Sequence, residues 1–109
     1  MDLATTECIL GKELEFLGLV RGSIVLTRHI GKDLMAGFKA IVGGEIKQFT
    51  ELLQEARNTA TERMIQEAQN LRADAIVTIR YATAEIMDSA AEVMAYGTAV
   101  RYIEQEITS

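Results

Sequence analysis

The feature that most constrains this chain is the apolar pattern between Ile46 and Leu71. Ile46, Phe49, Leu53, Ala56, Ala60, Met64, Ala68 and Leu71 follow one another at intervals of three or four residues. That spacing places them on one face of a single α-helix, Glu45 to Leu71. Leu52 and Ile65 widen the stripe, while Glu51, Glu55, Arg57, Glu62, Arg63 and Glu67 fall largely outside it. Arg63 and Glu67 form one i,i+4 pair, and such pairs contribute only about 0.2–0.5 kcal/mol, so packing must hold the helix. The first half of the stripe is bulky (Phe49, Leu53). The second half is largely alanine (Ala56, Ala60, Ala68), which lets the helix backbone lie close to whatever it covers.

Gly43 and Gly44 precede this helix. Glycine accepts the positive φ of a helix C′ position and serves as an N-cap, so Gly43 closes one helix and Gly44 opens the next. Glu45 then lies in the first turn, where a carboxylate favours the dipole. Two glycines before a helix can also cradle an anion, but no Lys-Ser/Thr follows as a P-loop requires. The structural role is the better reading.

The flanking segments read as strands. From Glu13 to Thr27 the run is dominated by Phe16, Leu17, Leu19, Val20, Ile24, Val25 and Leu26. Gly18 and Gly22 interrupt it and suggest a bulge or bend. Arg21-Gly22-Ser23 is alternatively a tight hairpin turn, and both readings stay open. Ile30, Leu34, Phe38 and Ile41 are spaced as a short helix, opened by Gly31 and weakened by Ala36-Gly37. Ala75 to Tyr81 is a clear strand, residues 83–91 a polar connection with some helix-like character, and Val93 to Ile103 a second clear strand. Residues 3–9 are short and Thr-rich, with Gly11-Lys12 as a turn.

This order, strand–helix–strand–strand, implies an α+β fold with a three-stranded mixed sheet. The first two strands run parallel through a right-handed helical crossover, and the last inserts antiparallel between them (order 1-3-2). One long and one short helix cover one face. The last strand has two unlike sides. Val93, Ala95, Gly97 and Ala99 are small and suit a close helix, while Met94, Tyr96, Val100 and Tyr102 are large and point the other way. A soluble monomer seldom exposes a large contiguous apolar patch. Burial against other copies of the chain is the simplest remedy, and Met94, Tyr96, Val100 and Tyr102 are the expected oligomer interface.

Composition narrows the function. At 109 residues the chain fits one domain, spanning residues 1–109. Its net charge of −5 falls entirely in residues 45–109, and residues 1–44 are neutral. Neither half is basic, which argues against nucleic acid as a partner. No cationic stretch followed by an apolar run opens the chain, and no apolar run approaches the length of a membrane span. Cys8 is the single cysteine. A cytoplasmic protein with no membrane partner is the expectation.

Several motifs together resemble the YbjQ-like family of small bacterial and archaeal proteins. They are Thr5-Thr6-Glu7, Ile30-Gly31-Lys32-Asp33-Leu34-Met35-Ala36-Gly37, Ile41-Val42-Gly43-Gly44-Glu45-Ile46, Thr50-Glu51-Leu52-Leu53, Ala73-Asp74-Ala75-Ile76-Val77, Arg80-Tyr81 and Tyr96-Gly97-Thr98-Ala99-Val100. The resemblance covers nearly the whole chain. It implies a dodecin-subunit-like fold, a homopentameric ring and a heavy-metal-binding label, with no assigned biochemical role.

The residues offer little for either metal or catalysis. Soft metals want three or four thiolate and imidazole ligands. This chain has one of each, Cys8 and His29, with no CxxC or HxH spacing. They are the candidate metal ligands, in a site completed by neighbouring subunits, and a heavy-metal ion is the one cofactor to consider. The bland alternative is a small buried thiol and a surface imidazole. A Cys–His nucleophile pair would need the fold to unite them, and no catalytic residue is assigned. Glu51 with Glu55, and Glu104 with Glu106, read as solvated surface carboxylates rather than a paired acid–base site. Arg80, Glu92, Tyr96 and Arg101 lie on strands, where polar groups need partners, and suit interface ion pairs or a ligand cleft. The expected protein is a homo-oligomer without a catalytic centre; metal or small-ligand binding between subunits is the alternative.

Overall fold

The computed structural model describes residues 1–27, 46–87 and 90–104. In chain order the elements are strand β1 (Asp2–Leu3), strand β2 (Glu13–Thr27), helix α1 (Ile46–Asn70), strand β3 (Ala75–Met87) and strand β4 (Ala90–Ile103). The sheet order is β1-β3-β4-β2. β4 is antiparallel to both long neighbours, and β1 is parallel to β3.

Helix α1 forms where the apolar stripe places it. Ala56, Ala60, Met64 and Ala68 recur every fourth residue and are buried. They meet Val20 of β2, Ile76 and Ile79 of β3, and Ala95 and Ala99 of β4 in one apolar cluster, with Leu17 and Ile65 at its margin. Met64 is the largest fully buried side chain of this layer, and truncating it to alanine would cost about 2–5 kcal/mol. The alanines bring the helix close to the sheet, as their size implies. Arg63, by contrast, reaches β2, where it donates to the backbone oxygen of Ser23 at 2.6 Å. Among the described residues the ion pair formed is Arg101–Glu15.

Two irregularities set which side chains face the helix. A bulge between Phe16 and Gly18 puts Phe16 opposite Val100 and Leu19 opposite Thr98. Both therefore face away from α1, although they are three positions apart in the chain. Gly18 supplies the φ of +147° that the bulge needs. A second irregularity, between Val77 and Arg80, holds Thr78 at φ 54°. It swings Ile79 under the helix. Arg21-Gly22-Ser23 is continuous strand rather than a hairpin turn, paired with Tyr96, Ala95 and Met94.

The expectation of three strands and two helices is overturned. The sheet has four strands, and among the described residues there is one helix. The short helix expected from Ile30 to Ile41 lies outside the described residues, as do Gly43 and Gly44. The fourth strand exists because β3 would otherwise present unpaired backbone groups at its outer edge. The first six residues satisfy them. Ala4 N–H donates to the Ile76 oxygen at 2.9 Å, Ile79 N–H to the Ala4 oxygen at 3.1 Å, and Thr78 N–H to the Thr6 oxygen at 2.9 Å. The dodecin-subunit-like three-stranded description therefore does not hold, although the α+β class does. Residues 83–87 are also strand rather than a connection: Ala82, Thr83 and Ala84 pair with Met94, Val93 and Glu92. Pairing overrides their modest strand preference.

Helix α1 ends in a Schellman turn. Arg72 N–H donates to the Gln69 oxygen at 2.9 Å and Ala73 N–H to the Ala68 oxygen at 3.1 Å. Arg72 occupies the left-handed C′ position, with φ 59°. The Arg101 guanidinium approaches the Leu71 and Arg72 carbonyl oxygens at 3.3 and 3.4 Å, where a cation complements the helix dipole. The molecule is elongated. Its Cα radius of gyration is 18.1 Å, against about 13 Å for a compact chain of this length.

Candidate interaction surface

The sheet face opposite α1 is the surface with functional potential. It divides into two regions. At one end the N-terminal segment closes over Ala75, Val77 and Val100, with Ala4, Ile9, Leu14 and Tyr102 packed around them. Val100, expected at an oligomer interface, is thus buried within its own chain at 4 % exposure. Sequence reasoning missed this because nothing in a short Thr-rich opening marks it as a cover.

Tyr102 anchors that cover. Its hydroxyl donates to the Asp2 carboxylate, and its backbone N–H donates to Asp74 Oδ2 at 2.8 Å. Lys12 Nζ lies 5.0 Å from its ring centroid, within cation–π range. The bond to Asp2 is the largest cause that pushes the Tyr102 phenol up to about 12. Desolvation and the negative charges of Asp2 and Asp74 add to it.

Beyond the cover the face is open. Phe16 and Leu19 are 73 % and 62 % exposed, and Val25 and Tyr96 are exposed beside them. Met94 is half-buried. Tyr96 is the centre of a row that crosses the sheet, paired with Arg21 on one side and Arg80 on the other. All three point away from the helix, because Tyr96's neighbours Ala95 and Gly97 are buried beneath or within the sheet. Arg80 Nη1 donates to the Thr5 oxygen at 3.0 Å and the Ile79 oxygen at 2.8 Å. The Arg21 side chain has no hydrogen bond or ion pair among the described residues. On the helix side, Tyr81 meets Thr61 at 2.7 Å. The Thr61 hydroxyl gives its one hydrogen to the Arg57 oxygen at 2.7 Å, so Tyr81 is the donor of that pair.

The expected metal ligands are not brought together. Cys8 is an exposed thiol, and not the buried one of the bland reading. His29 lies outside the described residues. No group of three or more His, Cys, Asp or Glu among the described residues is placed to hold a metal ion, so the described part of one chain does not fit a closed thiolate–imidazole site. No described helix is long and apolar enough to cross a membrane.

A small α+β chain with one helix-covered sheet face and one open face is the class defined by these features. A family model described as "Putative heavy-metal-binding" matches residues 1–103, and the chain belongs to this YbjQ-like family. UPF0145 proteins from Vibrio campbellii and Clostridium novyi are 52 % and 50 % identical to it, each covering 94 % of this chain and 100 % of the relative. The UPF0145 protein of Pseudothermotoga lettingae is 58 % identical over 93 % of this chain and 96 % of its own. A crystal structure of a DUF74-family protein of unknown function from Pediococcus pentosaceus shares the fold. Its TM-score is 0.64 at 16 % identity, covering 94 % of this chain and 98 % of that one.

Proposed function

We propose that this protein is a cytoplasmic homo-oligomer without a catalytic centre of its own, and that its working surface is the open sheet face around Tyr96. The observation that carries this reading is the exposure of Phe16, Leu19, Val25 and Tyr96 on one side of one sheet. Large apolar side chains exposed together on one sheet face mark association sites in soluble proteins. The elongated shape supports the same reading, since a lone chain of this length gains by compaction. A five-membered ring is the stoichiometry the family resemblance suggests. Within the interface first expected, Met94 and Tyr96 keep their role, Phe16 and Leu19 join them, and Val100 and Tyr102 support the face from beneath their own N-terminal cover. Replacing Tyr96 with Asp buries a charge at the contact, and the expected result in sedimentation velocity is loss of the oligomer. An unchanged mass rejects this face.

A second reading is heavy-metal binding between subunits. It is favoured by the family description and by the exposure of Cys8, which leaves its thiol accessible to a neighbouring copy. Cys8→Ser and His29→Ala should each lower bound metal per chain, measured by elemental analysis after gel filtration. Retained stoichiometry in both rejects these ligands.

A further inference from the structure

We infer that the Arg21–Tyr96–Arg80 row is a binding site for a small planar organic anion, an aromatic ring that carries a carboxylate or a phosphate. All three residues come from one chain, so the site goes beyond the self-association reading of this face and does not require it. Where copies meet over the row, the ligand lies at the contact.

The row has the parts that such a ligand needs. Tyr96 is exposed at the centre of the face. Its side chain forms no hydrogen bond among the described residues, and neither arginine lies over its ring; the cation–π contact formed there belongs to Lys12 and Tyr102. The ring is therefore open to stacking, which favours a flat aromatic partner. Leu19, opposite Thr98 and on the same face as Arg21, borders it with exposed apolar surface. Arg21 and Arg80 are the cross-strand neighbours of Tyr96, so their backbones lie about 10 Å apart, two strand spacings. The Arg21 guanidinium has no partner among the described residues. Its planar fork matches two oxygens of a carboxylate or a phosphate. Arg80 is held in place: Nη1 donates to the Thr5 and Ile79 oxygens. Its remaining N–H groups face no acceptor that this pinning uses.

The carboxylates of this face are engaged or distant. Asp2 and Asp74 are both bound to Tyr102, through its hydroxyl and its backbone N–H. Tyr102 is six residues from Tyr96 along β4, or roughly 20 Å at the usual rise of a strand. Lys12 lies there too, over the Tyr102 ring. Glu92 is four residues from Tyr96 in the other direction, or roughly 13 Å. Glu7, in the N-terminal cover, pairs with neither arginine among the described residues. The row is thus a local excess of positive charge on a chain of net charge −5. The helix side has no equivalent. Arg57 and Arg63 share α1 with exposed Glu51, Glu55, Glu62 and Glu67, and Arg63 is already bound to the Ser23 oxygen. Two cations on an acidic chain do not make the basic tract that a nucleic acid needs, but they suit a small anion.

The experiment is isothermal titration calorimetry on untagged full-length protein, with sedimentation velocity run beside it. The probes are benzoate and AMP, their uncharged counterparts benzamide and adenosine, and inorganic phosphate. At least one of the two aromatic anions should bind, and the better of them shows whether carboxylate or phosphate is preferred. Its uncharged counterpart and inorganic phosphate should each bind at least tenfold more weakly. Arg21→Gln and Tyr96→Leu should each weaken the anion at least fivefold with the circular dichroism unchanged. Arg21→Lys, which keeps the charge and loses the fork, should recover only part of the affinity. The site is overturned if neither anion binds at millimolar concentration, if inorganic phosphate matches AMP, or if binding survives both Arg21→Gln and Tyr96→Leu. A monomeric wild type that binds as expected contradicts self-association and leaves this site standing. An assembled wild type that binds neither anion does the reverse.

Discussion

A Cβ placed on Gly22 would lie 2.3 Å from the backbone oxygen of Ala60 and 2.3 Å from the backbone nitrogen of Met64. The helix backbone rests directly on the β2 backbone at this point. Both neighbours are main-chain atoms of a regular helix, so no side chain can swing aside. Gly22→Ala should therefore cost at least about 3 kcal/mol, at or above the upper end of the usual overpacking range. Gly22→Val should cost more. Urea denaturation at a fixed protein concentration checks this, since the proposed self-association would make apparent stability depend on concentration. A loss under about 1 kcal/mol would mean that α1 does not lie this close to β2.

Arg72 offers the opposite effect. It fills the C′ position of α1 with φ 59°, where a Cβ is penalised and glycine is the usual residue. Its carbonyl accepts from Arg101, and a substitution leaves that group in place. Arg72→Gly should raise stability by about 0.5–1 kcal/mol, the relief of left-handed strain being partly offset by glycine's greater freedom in the unfolded chain. Thermal denaturation would read this as a higher Tm; a lower Tm would show that the Arg72 side chain has a stabilising role of its own.

The Tyr102–Asp2 contact predicts a pH dependence. The fold favours the neutral phenol, whose pKa is pushed from 10 up to about 12. The stabilisation is therefore complete below pH 10 and is lost as pH rises through 12. Absorbance at 295 nm should show a tyrosine component with a midpoint near 12 that vanishes in Tyr102→Phe. In Asp2→Asn the midpoint should fall toward 10, because the carboxylate that accepts the phenol's hydrogen bond, and whose charge also opposes ionisation, is gone. A midpoint indifferent to Asp2 would contradict the N-terminal anchor.

Much of this architecture was readable from residue spacing. The fourfold recurrence of Ala56, Ala60, Met64 and Ala68 located α1 and foretold its close approach, since small side chains at that interval leave no other way to bury the stripe. The small residues at 93, 95, 97 and 99 located the surface beneath it. The run from Glu13 to Thr27 marked β2, but Gly22 was ambiguous there. The same glycine suits a turn or a crossing helix, and only the position of Ala60 decides between them. β1 was not readable. Asp2 and Leu3 carry no strand signal, and they pair because β3 has backbone groups to satisfy. That omission had a consequence at the candidate surface. Val100 has the size and parity of an interface residue, and its burial depends on a segment nearly a hundred residues away. The open part of the face was readable through Tyr96. The Arg21–Tyr96–Arg80 row was not, because a register across three strands is set by two bulges and not by any local pattern.

The central claim is that the open sheet face exists to be covered by another copy. Native mass spectrometry of the untagged protein without chelator tests it most directly. The account predicts an assembly at a whole multiple of 12.0 kDa, reduced to single chains by Tyr96→Asp. A wild-type protein that stays at 12.0 kDa across micromolar concentrations would contradict it.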